Sequence, residues 1–150
     1  LEFRPVADKP FKCRLITPQE RVFEADVSYA MVPLWDGKIG VMANTGAVVG
    51  KLGFGELRVD FVDRYSVGVK VEESGSKRWF INGGFVQNVN NTLTILASGA
   101  VDSDELNEQE AKAELAAAAA RKSTSTIEMD RITDDRQRAR AKLAMIHAHR

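Results

Sequence analysis

Beyond Gly99 the chain contains no glycine, no proline and no aromatic residue, although 11 glycines and 4 prolines punctuate the chain up to and including that position. A stretch without breakers reads as helix, whereas the β-branched, Gly- and Pro-rich first part reads as strands and turns. Cys13 is the only cysteine. That excludes an internal disulfide and a thiolate-based metal centre, and it fits a reducing compartment. The only two histidines, His147 and His149, stand two residues apart. On a helix that spacing places them on different faces, so joint metal ligation is not expected and both are read as frayed surface residues. Without another His or Cys, nucleophile-and-base chemistry would fall to Asp, Glu and Lys, which are scattered through strands and turns. No catalytic residue, metal or cofactor is identified.

An excess of one charge is missing too, because Lys+Arg and Asp+Glu each number 21 in 150 residues. A net charge of zero gives no general attraction to nucleic acid or anionic lipid. No run approaches the roughly 18 consecutive apolar residues of a membrane span, and no signal segment opens the chain. Leu1 in place of Met points to upstream processing, truncation or omission. Residues 1–10, with Pro5 and Pro10, are expected to be an extended leader.

What is present suits one compact domain with an appendage, since 44% of the residues are hydrophobic. Phe11, Cys13 and Leu15 alternate with Lys12 and Arg14, the period of a half-buried strand, so Cys13 is read as core. Further runs are Ala25–Leu34, Ile39–Met42, Leu57–Phe61, Tyr65–Val71, Arg78–Ile81, Phe85–Val89 and Leu93–Ala97, with turns at Trp35-Asp36-Gly37, Gly83-Gly84 and Asn90-Asn91. Short strands at this spacing predict an antiparallel sandwich or flattened barrel over residues 11–99. Gly50, Gly53 and Gly55 lack the Lys-Ser/Thr and following helix of a phosphate-binding loop.

Residues 102–150 form the helical part. Asp102, Ser103 and Asp104 offer N-caps for a helix from about Asp104 to Lys122; Ser123 to Thr126 break it, and Ser125 with Glu128 matches a capping box for a second helix. The fold class is therefore α+β: an N-terminal antiparallel β-sandwich followed by a C-terminal antiparallel two-helix hairpin. Leu106, Ala113, Ala117 and Ala120 are expected to share the apolar face of the first helix, and Ile132, Ala139, Leu143 and Ile146 that of the second. Alanines bury little area, so the pair is either a permanently docked, solvated hairpin or an arm able to detach. Arg131, Arg136, Arg138, Arg140 and Lys142 make the second helix basic, which suits acidic helices, anionic lipid or, less well given the zero net charge, nucleic acid, unless pairs such as Asp134 with Arg138 neutralise it.

The order of these pieces resembles the epsilon subunit of F-type ATP synthases, called delta in mitochondria. Residues Phe11 to Val27 resemble the family's opening strand, Pro-containing turn and "v-f-e-g-e-v" segment. Asp36-Gly37-Lys38-Ile39-Gly40-Val41 resembles its "G-E-L-G-I" turn, and Phe80-Ile81-Asn82-Gly83-Gly84-Phe85 resembles its "y-v-S-G-G-f" hairpin. Leu93–Ala97 and Leu106–Leu115 continue the match. The resemblance implies a non-catalytic rotor subunit of the central stalk, with residues 11–99 as a sandwich binding the gamma subunit and the c-ring. Trp35, Asp36, Gly37, Lys38, Ile39 and Gly40 would lie at that interface, and Gly83 and Gly84 would form a structural hairpin. It also implies that the helical hairpin can inhibit ATP hydrolysis at the catalytic alpha/beta subunits, here through Arg131, Arg136, Arg138 and Arg140.

Departures from the pattern are informative. Ala43, Asn44 and Thr45 stand where the family commonly has Pro-Gly-His, and Lys38 replaces the turn's acid. Arg64–Glu73 resembles an insertion. The ATP-binding "I/L-D-x-x-R-A" motif of some bacterial members aligns with Leu106-Asn107-Glu108-Gln109-Glu110-Ala111, so Leu106 and Ala111 remain while Asn107 and Glu110 replace the Asp and the Arg. Weak or no ATP binding is expected. The location implied is peripheral, on the cytoplasmic face of a bacterial inner membrane, with the matrix side of a mitochondrial inner membrane as the alternative. Membrane contact would arise only through the complex. A small-ligand (nucleotide) sensor, or a purely structural adaptor in another complex, is the competing reading.

Overall fold

A computed structural model describes residues 9–62, 75–122 and 125–149. Most of the leader, the strand expected at Tyr65–Val71, the insertion at Arg64–Glu73 and the break at Ser123-Thr124 lie outside the described residues. Among the described residues the strands are β1 (Phe11–Ile16), β2 (Arg21–Leu34), β3 (Gly37–Val41), β4 (Val48–Phe61), β5 (Ser76–Val89), β6 (Thr92–Ala97) and β7 (Ala100–Asp102). A 3-10 turn at Ser103–Glu105 leads to α1 (Glu108–Ala120) and α2 (Thr126–Ala148).

The alternation read along β1 becomes burial, with Phe11, Cys13 and Leu15 at most 3% exposed. β1 pairs antiparallel with β2 (Cys13 opposite Ala25) and parallel with β6 (Cys13 opposite Leu93). The sheet order is β1-β6-β5-β4-β2-β3, so these two partners close it on itself and leave β3 as an edge beside β2. Residues 11–102 thus make a flattened barrel, with one correction to the all-antiparallel expectation. The ring β1-β6-β5-β4-β2 has five members, and directions cannot alternate all round an odd ring; one neighbouring pair has to be parallel, and it is β1–β6. Inside, the Phe23 ring stacks on Trp79 at 4.9 Å and meets Phe61 edge-on at 5.1 Å. Burial pushes the Cys13 thiol far above its ordinary pKa, which is the behaviour of a core side chain.

Gly83 and Gly84 are not a hairpin turn. Both lie within β5, which at this point exchanges β6 for β7 as its neighbour: Gly84 pairs with Ala97 and Ile81 with Ala100. The inward face changes here as well. β5 buries Trp79 and Ile81 and then Val86 and Asn88, while β4 buries Leu52 and then Leu57, Val59 and Phe61. Strict period-two alternation forbids such a change, and it falls on glycines in both strands. Gly84 sits at φ +121°, where an added Cβ would lie 2.1 Å from the Leu96 carbonyl oxygen, and a Cβ on Gly53 would lie 2.8 Å from that of Leu34. The β5–β6 turn is Asn90-Asn91, at φ 52° and 56°.

The corner makes two substitutions separable. Gly84→Ala is expected to cost about 2 kcal/mol or more in urea unfolding, because it adds a backbone clash to an unfavourable φ. Gly83→Asn, at φ +67° with open space around it, should stay within about 1 kcal/mol of the parent protein.

Candidate docking surfaces

Trp35 and Asp36 form the two-residue loop of the β2–β3 hairpin, with Leu34 opposite Gly37. Trp35 is 70% exposed, and its backbone N–H donates to the Lys51 carbonyl at 3.0 Å. Lys38 is exposed, whereas Ile39 is half-buried against the barrel core. Gly40 lies under Tyr29, whose hydroxyl would be 2.5 Å from an added Cβ. The six residues expected at an interface therefore share one hairpin, with Trp35, Asp36 and Lys38 presented outward. Asn44, at φ 65°, is held from across the barrel: its N–H donates to Asn91 Oδ1 at 2.7 Å, and the two amides bond at 3.3 Å. Buried Asn88 adds Nδ2 bonds of 3.2 Å to the Thr45 and Gly46 carbonyls. The sequence marks Asn91 as part of a turn and Asn44 as a departure from the family pattern but does not reveal these bonds or Asn88, because they span 42 to 47 residues.

Beside this hairpin the outer face of the barrel is apolar. Phe85, 62% exposed, lies between Lys51 of β4 and Leu96 of β6, and Val49 opposes the neighbouring Gln87. Val49, Phe85 and Leu96 project outward because the glycine corner has reversed the alternation. Exposed aliphatic and aromatic groups contiguous across three strands are the usual mark of a protein contact.

The other half of the outer face is covered by the helices. Phe80 has core neighbours on either side, Trp79 and Ile81, so it points outward; it is nevertheless fully buried, with Lys142 Nζ 5.6 Å from its ring. Burying such a ring is worth roughly 1.5–3 kcal/mol. Arg138 spans the same junction, donating from Nε to Asn82 Oδ1 at 2.9 Å and lying 5.3 Å above the Phe54 ring. α1 and α2 are antiparallel: Glu108 meets His147, Glu114 meets Lys142 and Arg121 meets Asp135.

Several helical expectations are corrected. α1 begins at Glu108 rather than Asp104, because Asp102 caps the 3-10 turn and Asn107 caps α1 by accepting from the N–H groups of Gln109 and Glu110. Leu106 is half-buried, Ala111 buried and Glu110 exposed, so the residues aligned with the nucleotide motif begin a helix here. The buried face of α1 is Ala111 and Ala118, while Ala113, Ala117 and Ala120 are exposed. On α2 it is Ile132, Ala139 and Met145. Ser125 caps α2 through the Glu128 N–H, as the capping pattern indicated. The arginines do not share one surface: Arg131 and Arg140 are exposed, Arg136 Nη2 reaches the Ala119 carbonyl at 3.5 Å, and Arg138 faces the barrel. The partner of Arg138 on α2 is Asp135, at 2.9 Å, rather than Asp134. The histidines are not frayed either, since His147 Nε2 is 3.1 Å from Glu108 and His149 Nε2 is 2.6 Å from Glu56.

Among the described residues, a closed β-barrel with one outer half exposed and the other covered by a helical arm defines a barrel-plus-two-helix class of chain. The beta-sandwich domain model of the ATP synthase delta/epsilon chain matches residues 10–103. The chain belongs to that family. The ATP synthase epsilon chain of Rhodopirellula baltica is 32% identical over 107 residues, covering 71% of this chain and 75% of the relative. Among solved structures, a chain of the mitochondrial ATP synthase of Euglena gracilis (OSCP/F1/c-ring) superposes with a TM-score of 0.76 at 20% identity, over 92% of this chain and 82% of that one. A chain from the central stalk and c-ring of the Tetrahymena thermophila enzyme gives 0.64 at 16% identity, over 95% and 97%. Among the described residues no helix is long and apolar enough to cross a membrane.

Asp135 ties the two helices together and supplies a pH test. The hydrogen bond from Arg121 holds its carboxyl below the usual range, partial burial opposes this, and Arg138 adds to the lowering. A depressed folded-state pKa contributes stability that is complete above the ordinary aspartate value of about 3.9 and is lost as pH falls through the folded value. Asp135→Asn should therefore cost about 1 kcal/mol or less near neutrality, as expected for a half-exposed pair. In urea unfolding that difference should shrink in acid.

Proposed function

We propose that this chain is the non-catalytic rotor subunit of an F-type ATP synthase, with the bare outer half of the barrel seated on the gamma subunit and the β2–β3 hairpin facing the c-ring loops. The carrying observation is the surface of Val49, Phe85 and Leu96, exposed on a barrel whose remaining outer half is covered by α2. Lys38 at the hairpin suits an acidic or neutral ring loop. The subunit supplies no catalytic residue of its own; its task is to transmit torque between ring and head. It sits peripherally on the head side of the membrane, cytoplasmic in a bacterium and matrix in a mitochondrion. The domains divide as a coupling barrel and a helical arm, and Arg131 and Arg140 are the arm's solvent-facing cations for the catalytic alpha/beta subunits.

A second reading has one observation in its favour. A cavity of about 520 Å³ opens where the barrel meets α2, lined by Trp35, Lys51, Phe54, Asp134 and Gln137 among others. A nucleotide sensor would bind there. Titration calorimetry with Mg-ATP separates the readings: millimolar or weaker affinity dismisses the sensor, and tight binding supports it.

Two experiments test the main proposal. Phe85→Glu should weaken binding to purified gamma subunit at least tenfold while changing the chain's own stability by no more than about 0.5 kcal/mol. Unchanged affinity would place gamma elsewhere. For the arm, truncation after Leu106 is the informative cut, because Asp102 is 2.6 Å from the buried Lys77 ammonium and must stay. With the uncovered Phe80 replaced by Thr, the truncated chain should raise ATP hydrolysis by the reconstituted head several-fold. Unaltered hydrolysis would make the arm a structural brace.

A further inference from the structure

The two histidines reach different elements because they lie two residues apart at the end of α2, His147 in its last turn and His149 at its cap. His147 Nε2 is 3.1 Å from Glu108 Oε1 on α1, and His149 Nε2 is 2.6 Å from Glu56 Oε1 on β4. Both carboxylates are shielded, with side chains 19% and 18% exposed, while the imidazoles remain open to solvent protons at 52% and 32%. We propose that His147 and His149 form a proton-operated clasp that fastens the last turns of α2 to α1 and to the barrel, tight in mild acid and loose above neutrality.

The clasp sits among charges of both signs: the carboxylates favour a charged imidazole and the neighbouring cations oppose it. Arg78 Nε lies 3.4 Å from the same Glu56 oxygen, and Asp104 lines the cavity of about 260 Å³ that His149 closes together with Met145 and Ile146. At the other jaw, Lys112 Nζ is 3.1 Å from the Glu108 oxygen. Each carboxylate already contacts a permanent cation. The imidazole is the partner whose charge can change, and its direct contact with the carboxylate is shorter than the permanent cation's at Glu56 and equal to it at Glu108. A neutral imidazole gives one ordinary hydrogen bond, while an imidazolium gives a charge-assisted one and also complements the carbonyl end of α2. Among the described residues, other polar ties of α2 are Arg138 to Asn82, Lys142 to Glu114, Arg121 to Asp135 and Arg136 to the Ala119 carbonyl, none of which involves a histidine, the residue type whose ordinary charge change falls near neutrality.

The clasp concerns only how α2 is held, so it stands or falls separately from any effect of the arm on hydrolysis. Hydrogen exchange of the full chain at about pH 6 and about pH 8, expressed as protection factors for α2 relative to β4 and β5, tests it. Opening of α2 should be several-fold more populated at the higher pH. In His147→Gln/His149→Gln that dependence should vanish, and in Glu56→Gln it should be roughly halved, while strand protection stays as in the parent. Equal α2 protection at both pH values in the parent chain, or an undiminished dependence in the double variant, would overturn the proposal.

Discussion

Closure of the sheet by β1 is the constraint on which the rest depends. One short strand satisfies backbone groups of both β2 and β6, so that among the described residues only β3, beside β2, and the short β7, beside β5, keep an open side. Because the ring is odd-numbered, closing it requires the parallel β1–β6 pair. It also requires β4 and β5 to turn a corner, and the corner is where side chains cannot be accommodated: Gly53 and Gly84 face backbone carbonyls at distances no Cβ survives. The glycines thus follow from closure rather than from a need for flexibility.

That corner also sets the surface. Phe80 and Phe85 are an odd number of residues apart on one strand, and an unbroken strand would put them on opposite faces. With the alternation reversed at Gly83-Gly84, both point away from the barrel core. One is buried beneath the helices and the other is open. A single backbone feature therefore gives the barrel two outward aromatic anchors, one used within the chain and one left for a partner. The arm is held to the barrel chiefly by Phe80, by Arg138 on Asn82 and Phe54, and by the contact of His149 with Glu56. The buried side chains of its two helices are Ala111, Ala118, Ile132, Ala139 and Met145, and the three alanines among them bury little area each.

Local patterns in the sequence carried much of this. Alternation defined β1 and β6 closely, the loss of Gly and Pro after Gly99 marked the helical part, and Ser125 with Glu128 located the start of α2. Features that depend on distant partners were not legible. Gly83-Gly84 has the appearance of a turn in any local window, and only its approach to Leu96 shows otherwise. β7 is three residues long and draws its identity from pairing with Trp79, Phe80 and Ile81. In α1, a run of near-identical alanines gives periodicity nothing to select, so the buried face was assigned to the wrong side. The histidines were misread because neither glutamate partner is near them in sequence. Of the candidate site, the β2–β3 hairpin was visible through family-like motifs, whereas the Val49, Phe85 and Leu96 surface came from three strands brought side by side.

The central claim is that the barrel is a rotor component docked by its bare half, and lysine-directed cross-linking of the assembled complex addresses it most directly. Lys51 borders the apolar surface and Lys38 stands on the exposed hairpin. The account predicts that Lys51 links to the gamma subunit and Lys38 to the c-ring or to gamma close beside it. Links from both lysines to stator chains alone, or from Lys51 only to segments remote from gamma, would contradict it.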